Sequence, residues 1–503
     1  MKKLWYAVIN GFYLTPPFKH LVAGIFSFIM VFVFLMISNI AAYYWDSGGY
    51  FNLSRSFTNA IPDIREFSIY NFPLTIRGII YPLFLFPFNG LTYVLWGNSM
   101  HGWWVFISLL SGIFTVAFAG LFKSFGRSHL IPIPLVLLLF VWFGLFQYPL
   151  ADLVALFFLV FALALLLYTY GRGNTATSKS EITHQTQKMF SYKEFLLFTL
   201  VGVLLYVAYN TRTVYLFALP GLLLILFINR HVFKKRNYLI LIALIIGFFS
   251  LGVIQGLSNY HTVGAFSIFV PSIPYGVHDN IFMSAFWKGM RYNLLEGYLG
   301  DGPDNFVYWN NAGSKILEIY EIESFSSIGQ WIALWFKYPV EMLGSLTRSV
   351  IVFLNPLQGD VYIYRRTNMR FVYTVLNFSM LFYVAGFIKR RILDVPFKDL
   401  RDRFKASCVQ KKTCLLSLLI ILLPTAIAAL GIVEHRYGVS FWLVIYGLLS
   451  YVIDIRKEAG VIRKRPILYT SLFFIGFAVF VAILTEIYAS NIGEMFLPIL
   501  DLG

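Results

Sequence analysis

The sequence predicts an all-α polytopic membrane protein, and three observations carry that prediction. Of its 503 residues 58% are hydrophobic and only 13% charged, with 52 Phe and a mean hydropathy of +0.71. A soluble domain keeps a far more polar surface than this. Apolar stretches of about 20 residues, long enough to cross the hydrocarbon core of a bilayer, recur along the chain. The formal charge of +16 also divides unevenly between the segments that separate those stretches.

The first apolar run opens near Leu21 and stays apolar for about 22 residues, longer than the 7–15 of a signal-peptide core, so it reads as an uncleaved anchor. Gly78 to Gly97 is the ambiguous segment, because it contains Pro82, Pro87 and Asn89-Gly90. Counting it as a span places Lys123 and Arg127 outside, against the tendency of basic loops to stay inside. As a broken juxtamembrane helix at the outer interface it leaves every later loop on the expected side.

The spans are then 21–43, 103–122, 130–147, 153–170, 195–211, 213–229, 238–256, 371–388, 414–431, 439–455 and 467–487, about eleven in all. The N-terminus is expected inside and the C-terminus outside. The inner segments hold 27 basic and 7 acidic residues, and the rest of the chain 13 and 17. Basic loops such as Lys234-Lys235-Arg236 and Lys389-Arg390-Arg391 are explained by topology and anionic headgroups, so no nucleic acid is implied.

Two large insertions fall on the outer face, 45–102 and 257–370. Residues 1–256 are expected to form a transmembrane catalytic module with 45–102 as its first outer loop, 257–370 an outer insertion with interfacial helices, and 371–503 the C-terminal helices. Ser327 to Leu354 mixes apolar and charged residues as helices lying on a membrane do, broken at Pro339. The inner loop Gly171 to Lys193, rich in Thr, Ser and Gln, reads as a linker. Cys408 and Cys414 flank a Lys-rich inner stretch and read as reduced thiols. No Walker motif, dinucleotide fingerprint, His-Glu-x-x-His or nucleophile elbow is present, which removes support for nucleotide-driven transport and soluble-type hydrolysis.

Polar residues collect at the outer ends of the spans. Asp46 follows span one in Tyr43-Tyr44-Trp45-Asp46-Ser47-Gly48-Gly49-Tyr50, where it reads as an unpaired acid. Asp152 follows Tyr148-Pro149, Arg212 lies between spans five and six, and Glu434-His435-Arg436-Tyr437 follows span nine. Acids and guanidiniums ringing one interface describe a cavity suited to a lipid phosphate. Taken singly, each also fits a solvated boundary residue, and Asp152 with Arg212, or Glu434 with Arg436, fits a structural pair. Tyr43, Tyr44, Trp45 and Tyr50 fit either a sugar or lipid path or an ordinary aromatic belt. His278, Asp279, Lys288 and Arg291 are weaker candidates for acceptor contact, and His101 and His261 have no metal-ligand spacing.

Four patches resemble membrane glycosyltransferases of the GT-C fold: the Asp after span one, Asp152 after its proline-bearing turn, Arg77-Gly78-Ile79-Ile80-Tyr81-Pro82, and Glu434-His435-Arg436-Tyr437. The likeness is to the polyprenyl-phosphate-sugar-dependent branch, which includes protein O-mannosyltransferases and aminoarabinose transferases. It implies a GT-C-like bundle, Asp46 as the catalytic acid of the first outer loop, and Arg436, Arg77 and Arg212 as holders of the donor phosphate. Tyr50, Asp152, Glu434, His435 and Tyr437 would line the substrate pocket.

The chain departs from the family at Asp46-Ser47, where many relatives have Asp-Glu, and at Arg77, where a lysine is common. Oligosaccharyltransferase relatives hold a divalent metal on an acidic pair in the second outer loop, whereas here Asp152 stands alone, so no metal and no other cofactor is expected.

The expected reaction is an inverting transfer from a polyprenyl-phosphate sugar to a glycan, lipid or protein acceptor, with Asp46 as general base. A plasma membrane, bacterial, is the expected setting, with the site on its outer face. Two rivals remain: a polysaccharide polymerase or ligase, which would lean on outer-loop Arg and His, and a lipid flippase or transporter, which would place acids near mid-bilayer.

Overall fold

The structure is a computed structural model, and it describes residues 16–38, 45–57, 78–123, 132–175, 191–229, 237–271, 280–297, 305–354, 369–388, 409–431, 435–458, 476, 479 and 494–497. Span 467–487 and most of the inner loops lie outside the described residues, as do Tyr43, Tyr44, Arg77, His278, Asp279, Cys408 and Glu434.

The chain is a polytopic helical membrane protein. Among the described residues five helices are long and apolar enough to cross a membrane, at His20–Ser38, His101–Leu121, Ala151–Tyr170, Tyr192–Thr211 and Tyr238–Thr262. They belong to helices α1 (Pro16–Ser38), α4 (His101–Lys123), α7 (Ala151–Thr175), α8 (Tyr192–Thr211) and α10 (Asn237–Val263). Between them run α2 (Trp45–Arg55), α3 (Ile80–Trp96), α5 (Pro132–Val141), α6 (Phe143–Gln147) and α9 (Ala218–Ile228). The expected span 130–147 is divided: Trp142 leaves the helical region at φ −115 and ψ 35, which separates α5 from α6.

Helix α7 is apolar on every side and sits at the centre, with Leu153 to Leu159 almost wholly buried. A helix that is hydrophobic all round is one that is enclosed. By contrast α1 turns Leu21, Ile25, Ile29 and Met36 outward at more than half exposure, a stripe suited to lipid.

Contacts between helices sort the bundle into two ends. At one end the Cys414 thiol donates to Leu121 O at 2.8 Å, and Asn229 Nδ2 donates to Thr413 Oγ1 at 2.8 Å. Lys123, Lys411 and Lys412 lie within a few residues of these contacts. At the other, Trp103 Nε1 donates to Phe146 O at 2.7 Å, and the Phe32 ring meets Trp96 at 6.5 Å, which itself meets His101 at 5.9 Å.

Helix α3 has both ends at this second end. Its first N–H, at Ile80, donates to Asn210 Oδ1 at 2.9 Å beside the end of α8, while its last residue, Trp96, touches His101 at the start of α4. Tyr81 lies against Trp103 and Phe106, so α3 runs across the bundle end rather than through it. Gly78 makes this possible, because a Cβ there would collide with the carbonyl and side chain of Asn210. Gly78→Val is expected to lower stability by about 2 kcal/mol through overpacking, read as a fall in Tm of the detergent-solubilised protein.

The later chain forms α11 (Ile281–Arg291), α12 (Asn311–Ile319), α13 (Ile328–Lys337) and α14 (Pro339–Leu354), followed by α15 (Met369–Ile388), α16 (Val409–Ala428) and α17 (Val439–Glu458). The insertion has its own small core, in which Met290, Ile316, Leu317, Phe325, Trp331, Leu334 and Met342 are buried together. Its amphipathic helices leave Ile328, Ile332, Phe336, Val340 and Leu343 exposed in one sequence-adjacent set, as interfacial helices do.

One small sheet accompanies the helices. Strands β1 (Tyr292–Gly297), β2 (Asn305–Trp309) and β3 (Glu494–Leu497) form an antiparallel sheet in the order β1-β2-β3. Its third strand comes from near the C-terminus, so the insertion and the last segment of the chain are joined by backbone hydrogen bonds.

Candidate functional site

Four charged side chains from distant points of the sequence meet at the end of the bundle where α3 lies. Arg436 Nη2 donates to Asp46 Oδ2 at 2.9 Å, and Arg436 Nε lies 3.8 Å from Asp152 Oδ2. Arg212 Nε pairs with Asp152 Oδ1 at 2.8 Å. The result is a chain Asp46, Arg436, Asp152, Arg212 in which acids and guanidiniums alternate.

Local structure places each member. Asp46 is the second residue of α2, where a carboxylate is favoured by the N-terminal dipole. Asp152 holds the equivalent position on α7. Arg212 is extended at φ −148 and ψ 113, which ends α8 and turns the chain into the 3-10 turn Thr213–Phe217. Arg436 and Tyr437 lie in a second 3-10 turn, His435–Gly438, which opens with His435 and is held when Thr425 Oγ1 donates to Tyr437 O at 2.8 Å.

Burial grades the cluster from inside to outside. The Asp152 side chain is 5% exposed and Arg436 12%, whereas Arg212 is 20% and Asp46 31%. Asp46 is therefore the member most open to an incoming molecule. The Tyr437 ring faces both guanidiniums, 4.3 Å from Arg212 Cζ and 5.5 Å from Arg436 Cζ. A ring face beside two cations offsets part of their mutual repulsion.

The insertion closes over this turn. Helix α14 packs on the 3-10 turn of Arg436, and α11 comes so near that a Cβ on Gly289 would meet the backbone of Gly431. Leu430, a few residues before Arg436, packs on the insertion core.

Several sequence expectations change. Asp46 is not an unpaired acid, since Arg436 holds it; the partner stands 390 residues away and was not legible locally. Tyr50, one turn after Asp46, is buried, with its ring 4.9 Å from that of Tyr81. The His101 ring lies 4.2 Å from that of Trp104, tilted, in an aromatic cluster, and the Arg291 guanidinium lies over the ring of Trp287 at 4.9 Å. Lys288 is on α11 beside Gly289, and His261 is in the last turn of α10.

A ladder of buried amides went unnoticed in the sequence. Asn210 Nδ2 donates to Gln255 Oε1 at 2.9 Å, and Gln255 Nε2 donates to Asn259 Oδ1 at 2.8 Å. Gln255 Oε1 also accepts from Ile79 N, and Asn259 Nδ2 donates to the carbonyls of Ser267 and Phe269. The start of α3, the end of α8 beside Arg212 and the entrance to the insertion are thereby tied together. Gln255 and Asn259, four residues apart on an apolar span, were the available signal.

Among the described residues no group of three or more His, Cys, Asp or Glu side chains is placed to hold a metal ion. A guanidinium faces each oxygen of the Asp152 carboxylate, Arg212 at Oδ1 and Arg436 at Oδ2.

No family model and no curated protein matches the chain. It is similar to two solved structures of an oligosaccharyltransferase from Archaeoglobus fulgidus. One is the archaeal enzyme AglB in complex with an inhibitory peptide and a dolichol-phosphate, at 13% identity and a TM-score of 0.42. The other is the apo form, at 13% identity and a TM-score of 0.40. Each likeness covers 94% of this chain and 56% of that one, so the chain spans little more than half their length.

Proposed function

We propose that the protein is an inverting membrane glycosyltransferase with a GT-C-like bundle, which moves a sugar from a polyprenyl-phosphate donor to an extracytoplasmic acceptor. The observation that supports this most is the meeting of Asp46, Asp152, Arg212 and Arg436 at one bundle end, away from the end that bears Lys123, Lys411 and Lys412. With basic loops inside, this separation supports an outer-face site. A flippase would instead call for acids near mid-bilayer.

In this reading the acceptor hydroxyl attacks the anomeric carbon while Asp46 takes its proton. The bond from that carbon to the phosphate oxygen breaks, and polyprenyl phosphate leaves with the electron pair. Arg436 and Arg212 stabilise the growing charge, and Arg77, next to Gly78 in the sequence, is a further candidate for the same role. The leaving group is a good one, so the arginines serve where a metal would otherwise be needed. Glycan, lipid and protein acceptors all present the required hydroxyl.

The test is release of polyprenyl phosphate from a polyprenyl-phosphate sugar by membranes carrying the protein, compared with membranes carrying Asp46→Asn. Equal release from both would refute the reading. Tyr437→Leu is expected to raise KM for the donor about fivefold with little change in kcat, since it loosens both guanidiniums without touching the base.

A further inference from the structure

The distance between Asp46 and Arg436 carries a second conclusion, which rests on their proposed roles as base and phosphate holder. Those roles lie on opposite faces of one anomeric carbon. With the attacking oxygen about 3 Å from that carbon on one face, the leaving oxygen bonded to it on the other, and a hydrogen bond of about 2.8 Å beyond each oxygen, the two side chains stand at least about 6 Å apart during reaction. In the structure they touch, at 2.9 Å. The observed contact and the reacting geometry are therefore two different arrangements of the same pair.

We propose that the Asp46–Arg436 ion pair is a latch opened by the donor phosphate, so that Asp46 becomes an effective base only once the donor is seated. A guanidinium at hydrogen-bond distance stabilises the carboxylate anion and makes it a poor proton acceptor. When the phosphate takes the Nη edge of Arg436, Asp46 loses that stabilisation. Its basicity then rises at the moment an acceptor hydroxyl needs it. Asp46 is the most exposed member of the cluster, which is where a displaceable partner belongs.

The rest of the cluster is arranged for such an exchange. Asp152 lies at ion-pair distance, 3.8 Å, from Arg436 Nε rather than from the Nη2 that meets Asp46, so its charge stays beside the guanidinium while the other edge changes partner. Arg212 anchors Asp152 at 2.8 Å, and the Tyr437 ring lies beside both cations. Asp46 thus competes with phosphate for Arg436, whereas Asp152, a positioning residue, supports phosphate binding.

Two isosteric substitutions separate these roles by sign. The measurement is the Kd of a polyprenyl monophosphate for the full chain in nanodiscs of neutral lipid, for wild type, Asp46→Asn and Asp152→Asn. A partly exposed charged pair is worth about 1 kcal/mol, so Asp46→Asn is expected to bind about fivefold tighter. Asp152→Asn is expected to bind at least about fivefold weaker, although it too removes a negative charge.

Unchanged or weaker binding by Asp46→Asn would overturn the latch, as would equal tightening in both variants, which is the result of net charge alone. Asp46 is partly exposed, so its variant carries the test even if Asp152→Asn proves unstable. Loss of sugar transfer in Asp46→Asn without tighter binding removes the latch and leaves the base intact. Wild-type transfer by Asp46→Asn removes the base itself and with it the latch.

Discussion

Asp46→Asn is expected to lower sugar transfer by about 10³-fold, within the range that a general base contributes. The substitution keeps the shape of the side chain and an oxygen that accepts from Arg436, so the cluster should stay assembled. It removes the one carboxylate in the cluster that is open enough to meet an acceptor, since Asp152 is buried and faced by two guanidiniums. Tm measured beside the transfer assay distinguishes lost chemistry from lost structure. A variant with wild-type Tm and a rate within about threefold of wild type would remove Asp46 from the mechanism, because a base cannot be replaced so cheaply by water.

Asp152→Ala is expected to cost about 3 kcal/mol of stability, the largest structural effect of any single change at the site. Asp152 is in reach of both arginines, and its loss leaves Arg212 and Arg436 facing each other without the carboxylate between them. The figure sits at the low end for breaking a buried pair because both arginines keep some contact with solvent. The check is a pair of thermal melts in detergent. Arg212→Met combined with Asp152→Ala should melt higher than Asp152→Ala alone, since the double change removes a cation that the single change strands. If the double variant melts lower, the pair is not the source of the stability.

The general position of the site could be read from the sequence because it follows from composition. Lys and Arg concentrate in alternate loops, and that alternation placed Asp46, Asp152, Arg212 and Arg436 at one end before any contact was known. Moving Gly78 to Gly97 out of the list of spans rested on Pro82, Pro87 and the same charge argument. The structure lays that helix across the bundle end, with Tyr81 on Trp103 and Ile80 on Asn210.

What could not be read is which residue meets which. Asp46 and Arg436 are 390 positions apart, and no local pattern encodes a partner at that separation. Tyr50 illustrates the same limit: aromatic residues near an interface suit a pocket or a core equally well, and packing against Tyr81 decides for the core. The sheet was missed because β2 takes its second neighbour from Glu494–Leu497, and strand preference depends on such neighbours more than on the residues themselves. The break at Trp142 has no proline to announce it, only a backbone that leaves the helix there.

The sequence by itself determined that this is a helical membrane protein, which loops lie together, and which charged residues share a bundle end. Those properties follow from the transfer of apolar segments into lipid and of basic loops away from it, and both act residue by residue. Only the tertiary structure decided that the four charges form one alternating chain, that Asp152 lies within reach of two guanidiniums, and that Asp46 is held. Pairing depends on distances of a few ångströms between helices, and those distances are set by the packing of the whole bundle.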